Sequence, residues 1–352
     1  MFGSHLSISG SMTNALREAE LLGLDCVQVF TKNQQQWNAK PLEKGAIDEW
    51  AAEMKRLKWG GGGGHVTSHA SYLANLASPN PELYKGSIEL MRIEIERAEL
   101  LGIGLLVFHP GAFTTSTLEE GTARIAAACA KLIKETAGYK TVMCLENVAG
   151  QGSTIGRTFE ELADLHGRIT QTVGTSDRIG FCIDTAHAHA AGYDLSTRGG
   201  AERILAGMVG KLGAANIRCM HLNDSKTPCA SRVDRHAHIG EGTIGLAGFA
   251  AVVNHPHLSK VPKLMETPKE DKKPDPSAGP CWDQVNVERL RSLVGSSAQT
   301  FASVKPIGGA APPTKPAASK SAATRPAKAA AAAKPAAKAA EKAPKQAKRP
   351  RV

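Results

Sequence analysis

The sequence predicts an α/β protein built as an eight-stranded parallel (β/α)8 barrel of the TIM type, followed by a disordered tail. Three observations carry this. Short apolar or β-branched runs alternate with longer amphipathic stretches through the first 300 residues; there are eight such runs; and five of them finish on a histidine or a carboxylate, with His221 next to the end of a sixth. Strand–helix alternation argues for a parallel sheet with helical crossovers. Eight units in roughly 300 residues match a closed barrel. An open doubly wound sheet is the rival that spacing alone leaves standing.

Taken in order, the runs are FGSHL (2–6), CVQVFT (26–31), HVTSH (65–69), GLLVFH (104–109), TVMCLE (141–146), IGFCID (179–184), IRCMHL (217–222) and VPKLME (261–266). Between them lie helix-like segments such as SMTNALREAELLGL (11–24) and ELYKGSIELMRIEIERAELLG (82–102). Five glycines, Gly60–Gly64, precede the third run. A phosphate cradle needs glycines that lead into a helix; these lead into a strand and read as a flexible loop. Residues 1–300 are expected to form the barrel domain. Residues 301–352 hold one aromatic, Phe301, and eight of the nineteen prolines, too little apolar surface to offset the entropy of ordering.

The chain has 352 residues, of which 42% are hydrophobic. That is ample for a large core and excludes a disulfide-stapled miniprotein or a wholly disordered chain. The net charge of +10 is misleading as an average. The tail carries twelve of the 43 bases and one acid, Glu341, of the 33, so the body is close to neutral. Seven cysteines occur without a C-x-x-C pair, and Cys144, Cys182 and Cys219 lie inside apolar runs. This fits a reducing compartment. The first residues lack the charged and apolar regions of a secretory signal, and no stretch approaches the ~18 apolar residues of a membrane span. A soluble intracellular protein, with no membrane partner, is expected.

The strand ends carry the chemistry. His69, His109, Glu146 and Asp184 close four runs, His221 lies in the seventh, and Glu266 closes the eighth. In a parallel barrel all these ends share one face, the face that holds active sites. His187 follows in DTAH, and Asp234 and His236 in the loop SRVDRH. A lone strand-end histidine is usually a hydrogen-bonded loop residue, and a lone carboxylate usually a helix cap. Six such coincidences on one face point instead to metal. Nitrogen and carboxylate donors without thiolate suit zinc, manganese or iron in open sites. Nine donors exceed the need of one ion, and four crowded carboxylates repel unless cations neutralise them, so two or three ions are expected. Multinuclear sites of this kind favour phosphoryl chemistry. His65, His166, His255 and His257 read as structural; His5, His189 and His238 lie nearer the site and could orient ligands.

These residues carry a resemblance to endonuclease IV, the family-2 apurinic/apyrimidinic endonucleases (deoxyribonuclease IV). The matching segments are FTKNQQQW (30–37), HASYLANL (69–76), VFHPGAF (107–113), LENVAGQGSTIG (145–156), CIDTAHAHAAGYDL (182–195), HLNDSK (221–226), SRVDRHAHIGEGTIG (231–245) and METPKE (265–270), spanning the body from about residue 2 to 295. The resemblance implies three zinc ions, for which manganese or iron are substitutes. The first would take His69, His109 and a bridging Glu146; the second Glu146, Asp184, His221 and Glu266; the third His187, Asp234 and His236.

It further implies hydrolysis of the phosphodiester 5′ to abasic sites in double-stranded DNA during base excision repair. The products would be a 3′-hydroxyl and a 5′-deoxyribose phosphate, and blocked 3′ ends would also be trimmed. Glu266 and Glu146 would be the catalytic carboxylates, with Glu266 helping to position the attacking hydroxide. Tyr72 and Leu73 match residues that such enzymes insert in the DNA stack. Gln35 is a departure, because many members carry an arginine in that loop, and Gln lacks its charge and planar fork. The family is monomeric, and a bacterial cytoplasm or nucleoid is the expected location, with a nucleus the alternative. The tail reads as a non-specific DNA tether acting by counterion release; an import signal in KQAKRPRV (345–352) and a plain solubilising linker are the rivals. A metal-dependent sugar isomerase or epimerase on a related barrel is the alternative function, although an isomerase needs fewer histidines.

Overall fold

The structure is a computed structural model that describes residues 1–60, 64–175, 177–269 and 279–296. Gly61–Gly63 of the glycine run and the whole 301–352 tail lie outside the described residues.

The strands are β1 (Phe2–His5), β2 (Cys26–Val29), β3 (Val66–His69), β4 (Leu105–Phe108), β5 (Val142–Glu146), β6 (Ile179–Asp184), β7 (Ile217–His221), β8 (Asp224–Ser225), β9 (His236–Ala237) and β10 (Lys263–Met265). Eight of them close a parallel barrel in the order β1-β10-β7-β6-β5-β4-β3-β2, while β8 and β9 form a two-stranded antiparallel pair. The open sheet is thereby ruled out: β1 pairs with β2 on one edge and with β10 on the other, in register Phe2↔Lys263. Every expected run contains a barrel strand, identical in β6 and shorter by one to three residues in the others. The β8–β9 pair is an addition that no apolar run announces.

The helices are α1 (Thr13–Leu21), α2 (Lys44–Leu57), α3 (Pro81–Leu100), α4 (Leu118–Glu135), α5 (Phe159–Val173), α6 (Thr185–Ala191), α7 (Arg198–Leu212), α8 (Gly245–Asn254) and α9 (Trp282–Leu293). Local chemistry starts several of them. Asn80 accepts from the Glu82 and Leu83 amides, with Pro81 at the first turn of α3. Thr117 and Glu120 form a capping box on α4. The alternate strand residues Met143, Leu145, Phe181 and Ile183 join the helices in the main core. Among the described residues no helix is long and apolar enough to cross a membrane.

The opposite strand faces point into the barrel. Cys26, Val107, Cys144, Cys182, Cys219 and Leu264 pack there as a separate buried cluster. Side chains two residues apart on a strand share a face. Counting on by two from these floor residues gives Gln28, His109, Glu146, Asp184, His221 and Glu266. The same step from Thr67 gives His69. Strand alternation thus sets one ring of polar groups above one floor of small apolar ones.

Candidate metal centre

The structure brings all nine sequence-selected residues to the barrel mouth. Glu146 is central and fully buried. Its Oε2 lies 3.0 Å from His69 Nε2 and 3.2 Å from His109 Nε2, and its Oε1 lies 2.9 Å from His221 Nδ1 and 3.4 Å from His187 Nδ1. Ligand-type atoms converge in three groups: His69, His109 and Glu146; Glu146, Asp184, His221 and Glu266; and Asp184, His187 and His236. Asp234 faces the third group, its two oxygens 3.1 Å from His187 Nε2 and 3.1 Å from His236 Nε2. Asp184 is also a helix cap: its Oδ1 accepts from the His187 amide at the start of α6. The capping role expected of a lone carboxylate and the ligand position coexist on its two oxygens.

Hydrogen bonds fix which ring nitrogen faces inward. Carbonyl oxygens can only accept, so the ring nitrogens against them carry hydrogen. His69 Nδ1–H donates to Ala70 O (2.7 Å), His187 Nδ1–H to Asn147 O (2.8 Å), and His236 Nδ1–H to Glu266 O (3.1 Å). His221 Nε2–H donates to Gln28 Oε1 (2.8 Å). In the neutral ring the other nitrogen is then a lone pair. For His69, His187 and His221 it points at a carboxylate oxygen, so two acceptors face each other near 3 Å. Only a cation between them, a proton or a metal ion, makes that arrangement favourable. His236 Nε2 sharpens the point. It is buried and, despite Asp234 at 3.1 Å, lies off the hydrogen-bonding direction and has no hydrogen-bond partner.

Electrostatics agree. Burial pushes the Glu146 carboxyl up, but the charges of His221 and His109 override it and hold the group well below the usual range. Burial raises Glu266 as well, and His221 likewise overrides it. Burial lowers the imidazoles, yet Glu266 and Glu146 hold His221 well above its ordinary value, and Asp184 does the same for His187. His236 is raised to about 9 by Asp184 and Asp234 against its burial. The same charge that raises these imidazoles would favour a metal ion, whose binding displaces protons from its ligands. The donors therefore fit multinuclear N/O coordination.

Three amides at the mouth escaped the sequence reading. Gln28 accepts from His221 and donates to Glu266 Oε1 (2.6 Å). Asn147 holds the Asp184 backbone on both sides (2.7 and 3.0 Å). Asn223 donates to Asp184 Oδ2 (2.6 Å) and accepts from the Glu266 amide (2.7 Å). The available signal was a lone Gln inside the apolar run CVQV and an Asn directly after a strand-end acid. His5 also joins the mouth, 3.6 Å from Glu266. His238 instead stacks on Trp282, and His189 groups with Asp194 and Cys229.

Gln35 and Tyr72 are exposed, and Leu73 is half-buried. Tyr72 stands beside the metal-type donors, its ring centroid 5.1 Å from His69 and 5.5 Å from His109. The two loops are tied together by buried Glu94, which accepts from Thr31 Oγ1 (3.0 Å) and from the Ser71 amide (3.2 Å). A cavity of about 650 Å³ opens there, lined among others by His5, Phe30, Asn33, Gln34, Tyr72 and Glu266. A second, of about 280 Å³, lies between Tyr72, His109, His187, Asp234, His236 and Glu266.

A closed (β/α)8 barrel with clustered imidazole and carboxylate donors at its mouth defines the class of xylose isomerase-like barrels, and a family-2 AP-endonuclease model of that description matches residues 16–293. A probable endonuclease 4 from Chloroflexus aurantiacus is 41% identical over 294 residues, covering 83% of this chain and 98% of the relative. The chain belongs to the endonuclease IV family. The crystal structure of endonuclease IV from Thermus thermophilus superposes with a TM-score of 0.69 at 30% identity, covering 83% of this chain and 98% of that one. A D-tagatose 3-epimerase-like protein superposes at TM-score 0.60 with 20% identity, over 83% of this chain and 97% of that one; this second likeness speaks for the fold alone.

Proposed function

We propose that this chain is a zinc-dependent DNA-repair endonuclease. It hydrolyses the phosphodiester 5′ to abasic sites in double-stranded DNA, leaving 3′-hydroxyl and 5′-deoxyribose phosphate ends, and trims blocked 3′ ends. The observation that carries the reading is the set of inward imidazole lone pairs opposed to carboxylates, which calls for several cations in one pocket. His69, His109 and Glu146 would hold one zinc ion; Glu146, Asp184, His221 and Glu266 a second; His187, Asp234 and His236 a third. When bound, such ions supply the positive charge that acidifies water and neutralises a phosphodiester during in-line displacement.

The chain's own groups do the positioning. Glu266 is restrained by Gln28 at one oxygen, while the other lies 3.3 Å from His221 Nδ1. It is therefore fixed to position the attacking hydroxide, with Glu146 the second catalytic carboxylate. Tyr72 borders the centre, and Tyr72 and Leu73 fill the gap left by a missing base, where extrusion of the sugar is cheapest. Gln35 contacts DNA without adding charge. The protein acts as a monomer inside a bacterial cell, in two parts, a 1–300 barrel and a 301–352 tail that contacts DNA non-specifically. The test is a duplex with one abasic site, incubated with and without a zinc chelator. Chelator-sensitive cleavage on the 5′ side is expected. No cleavage with three zinc ions verified as bound would overturn the reading.

A further inference from the structure

A second set of metal-type donors lies apart from the nine. One ring nitrogen of His189, a carboxylate oxygen of Asp194 and the Sγ of Cys229 fall within 4.8 Å of one another. They come from three stretches of chain: helix α6, the turn that follows it, and the loop between β8 and β9. We propose that His189, Asp194 and Cys229 form a separate mononuclear site for a zinc-type divalent cation, with a fourth position open to water. The proposal does not depend on the nuclease reading.

The site is built before any ion arrives. The Ala230 amide donates to His189 O (3.1 Å) and the Arg232 amide to Ala190 O (2.9 Å), strapping the cysteine loop to α6. Ala230 and Arg232 both adopt left-handed backbone (φ 63 and 54), unusual for residues other than glycine, so these bonds hold the loop where relaxation would otherwise move it. The Leu195 amide donates to His189 Nδ1 (3.3 Å), which fixes that nitrogen as the ring's unprotonated one, and Asp194 Oδ1 lies 3.9 Å from it; an ion taken up on Nδ1 would replace this long amide contact. His189 is buried, Cys229 half-buried and Asp194 exposed, which leaves room for water as a fourth ligand. Thiolate with imidazole selects zinc over magnesium or calcium. The thiol proton passes to solvent on binding, and thiolate plus carboxylate then neutralise the dication.

The loop that carries Cys229 continues directly into Asp234 and His236, and α6 carries His187. An ion at the new site would therefore staple together the two elements that supply the third cluster at the mouth.

The probe is cobalt(II), titrated into full-length protein stripped with chelator. Only a thiolate ligand gives a sulfur-to-cobalt charge-transfer band in the near ultraviolet, and the nine donors at the mouth include no sulfur. The wild type is expected to show the band and to bind one ion more than Cys229→Ser, which loses the band but keeps the ions at the mouth. Absence of the band at saturation, or its persistence in Cys229→Ser, overturns the proposal. A second readout is alkylation of Cys229 by a maleimide, followed by peptide mass mapping with Cys281 as internal reference. Zinc should slow it roughly tenfold in the wild type and far less in Asp194→Asn; equal rates with and without zinc overturn the proposal.

Discussion

Replacing Gln28 with leucine isolates the support that holds two of the proposed ligands. Leucine keeps the bulk of the side chain inside β2 but can neither accept from His221 Nε2–H (2.8 Å) nor donate to Glu266 Oε1 (2.6 Å). The buried His221 N–H is then unpaired, which costs about 1–3 kcal/mol, and Glu266 loses a charge-assisted bond worth about 1.5–3 kcal/mol. Relaxation recovers part of both, so the metal-free fold should lose roughly 2–4 kcal/mol, readable as a lower urea midpoint with unchanged slope. Loss of an outer partner of this kind lowers metal affinity about 10–100-fold. His221 and Glu266 belong to the same group of four donors, so the loss should fall on one ion only. The assay is competition with a chromophoric chelator, counting ions and their affinities in both proteins. Gln28→Glu is the matched control: it still accepts from His221 but sets a negative charge against Glu266. If all ions of Gln28→Leu keep wild-type affinity within about twofold, the amide is packing and the reasoning is wrong.

Glu266→Gln should leave the fold intact, weaken the ion shared with Glu146, Asp184 and His221, and lower cleavage by ~10²-fold or more, the scale of a misplaced reacting group; near-wild-type turnover would refute its role. Lys263 gives a pH prediction. It is buried at the start of β10, donating to Leu258 O (2.6 Å) and Val261 O (2.8 Å), and burial pushes its ammonium from 10.5 down to about 8. Between those values the unfolded chain binds more protons at this lysine than the folded one, so the contribution of Lys263 to stability rises with pH across the window, by ~3 kcal/mol, against the opposite trend of the buried cysteines, whose thiols burial pushes up. The difference in urea midpoint between wild type and Lys263→Met should therefore shift in favour of the wild type from the lower to the upper end of the window; an unchanged difference sinks the assignment. Deleting residues 301–352 should weaken DNA binding and flatten its salt dependence, each lost phosphate contact reducing the slope by about 0.9, with turnover at saturating DNA unchanged. An unaltered slope would take the tail off the DNA.

The eight strands were legible because each is a short apolar run between amphipathic stretches. Closure was legible only through the count of eight units, because it rests on the long-range pairing of β1 with β10, which no local spacing encodes. The nine donors were legible because charged and imidazole groups at strand ends stand out against apolar runs. Gln28, Asn147 and Asn223 were not, because a neutral amide shows its worth only through the atom it meets. The spacing of His189 and Cys229 matches no ligand motif, and only the strapping of their two elements brings them together. Gln35, Tyr72 and Leu73 came from family likeness alone; the structure adds that Glu94 ties their two loops at one cavity.

The first strand of the barrel meets its second neighbour only when β10 has been made. A ribosome adds roughly 5–20 residues per second, so β1 waits on the order of tens of seconds with one edge bare. Until then Glu266 does not exist and the mouth has no complete rim. A nascent chain could gather scattered ions, but it could not hold them in the finished arrangement. Any activity of the mouth would then arrive in one step once β10 is made, and not by degrees as the earlier strands form. The same delay exposes an unpaired strand edge during synthesis, the usual starting point for misassociation. Conditions that slow elongation late in the message should therefore cost soluble yield more than they cost the activity of each molecule that closes.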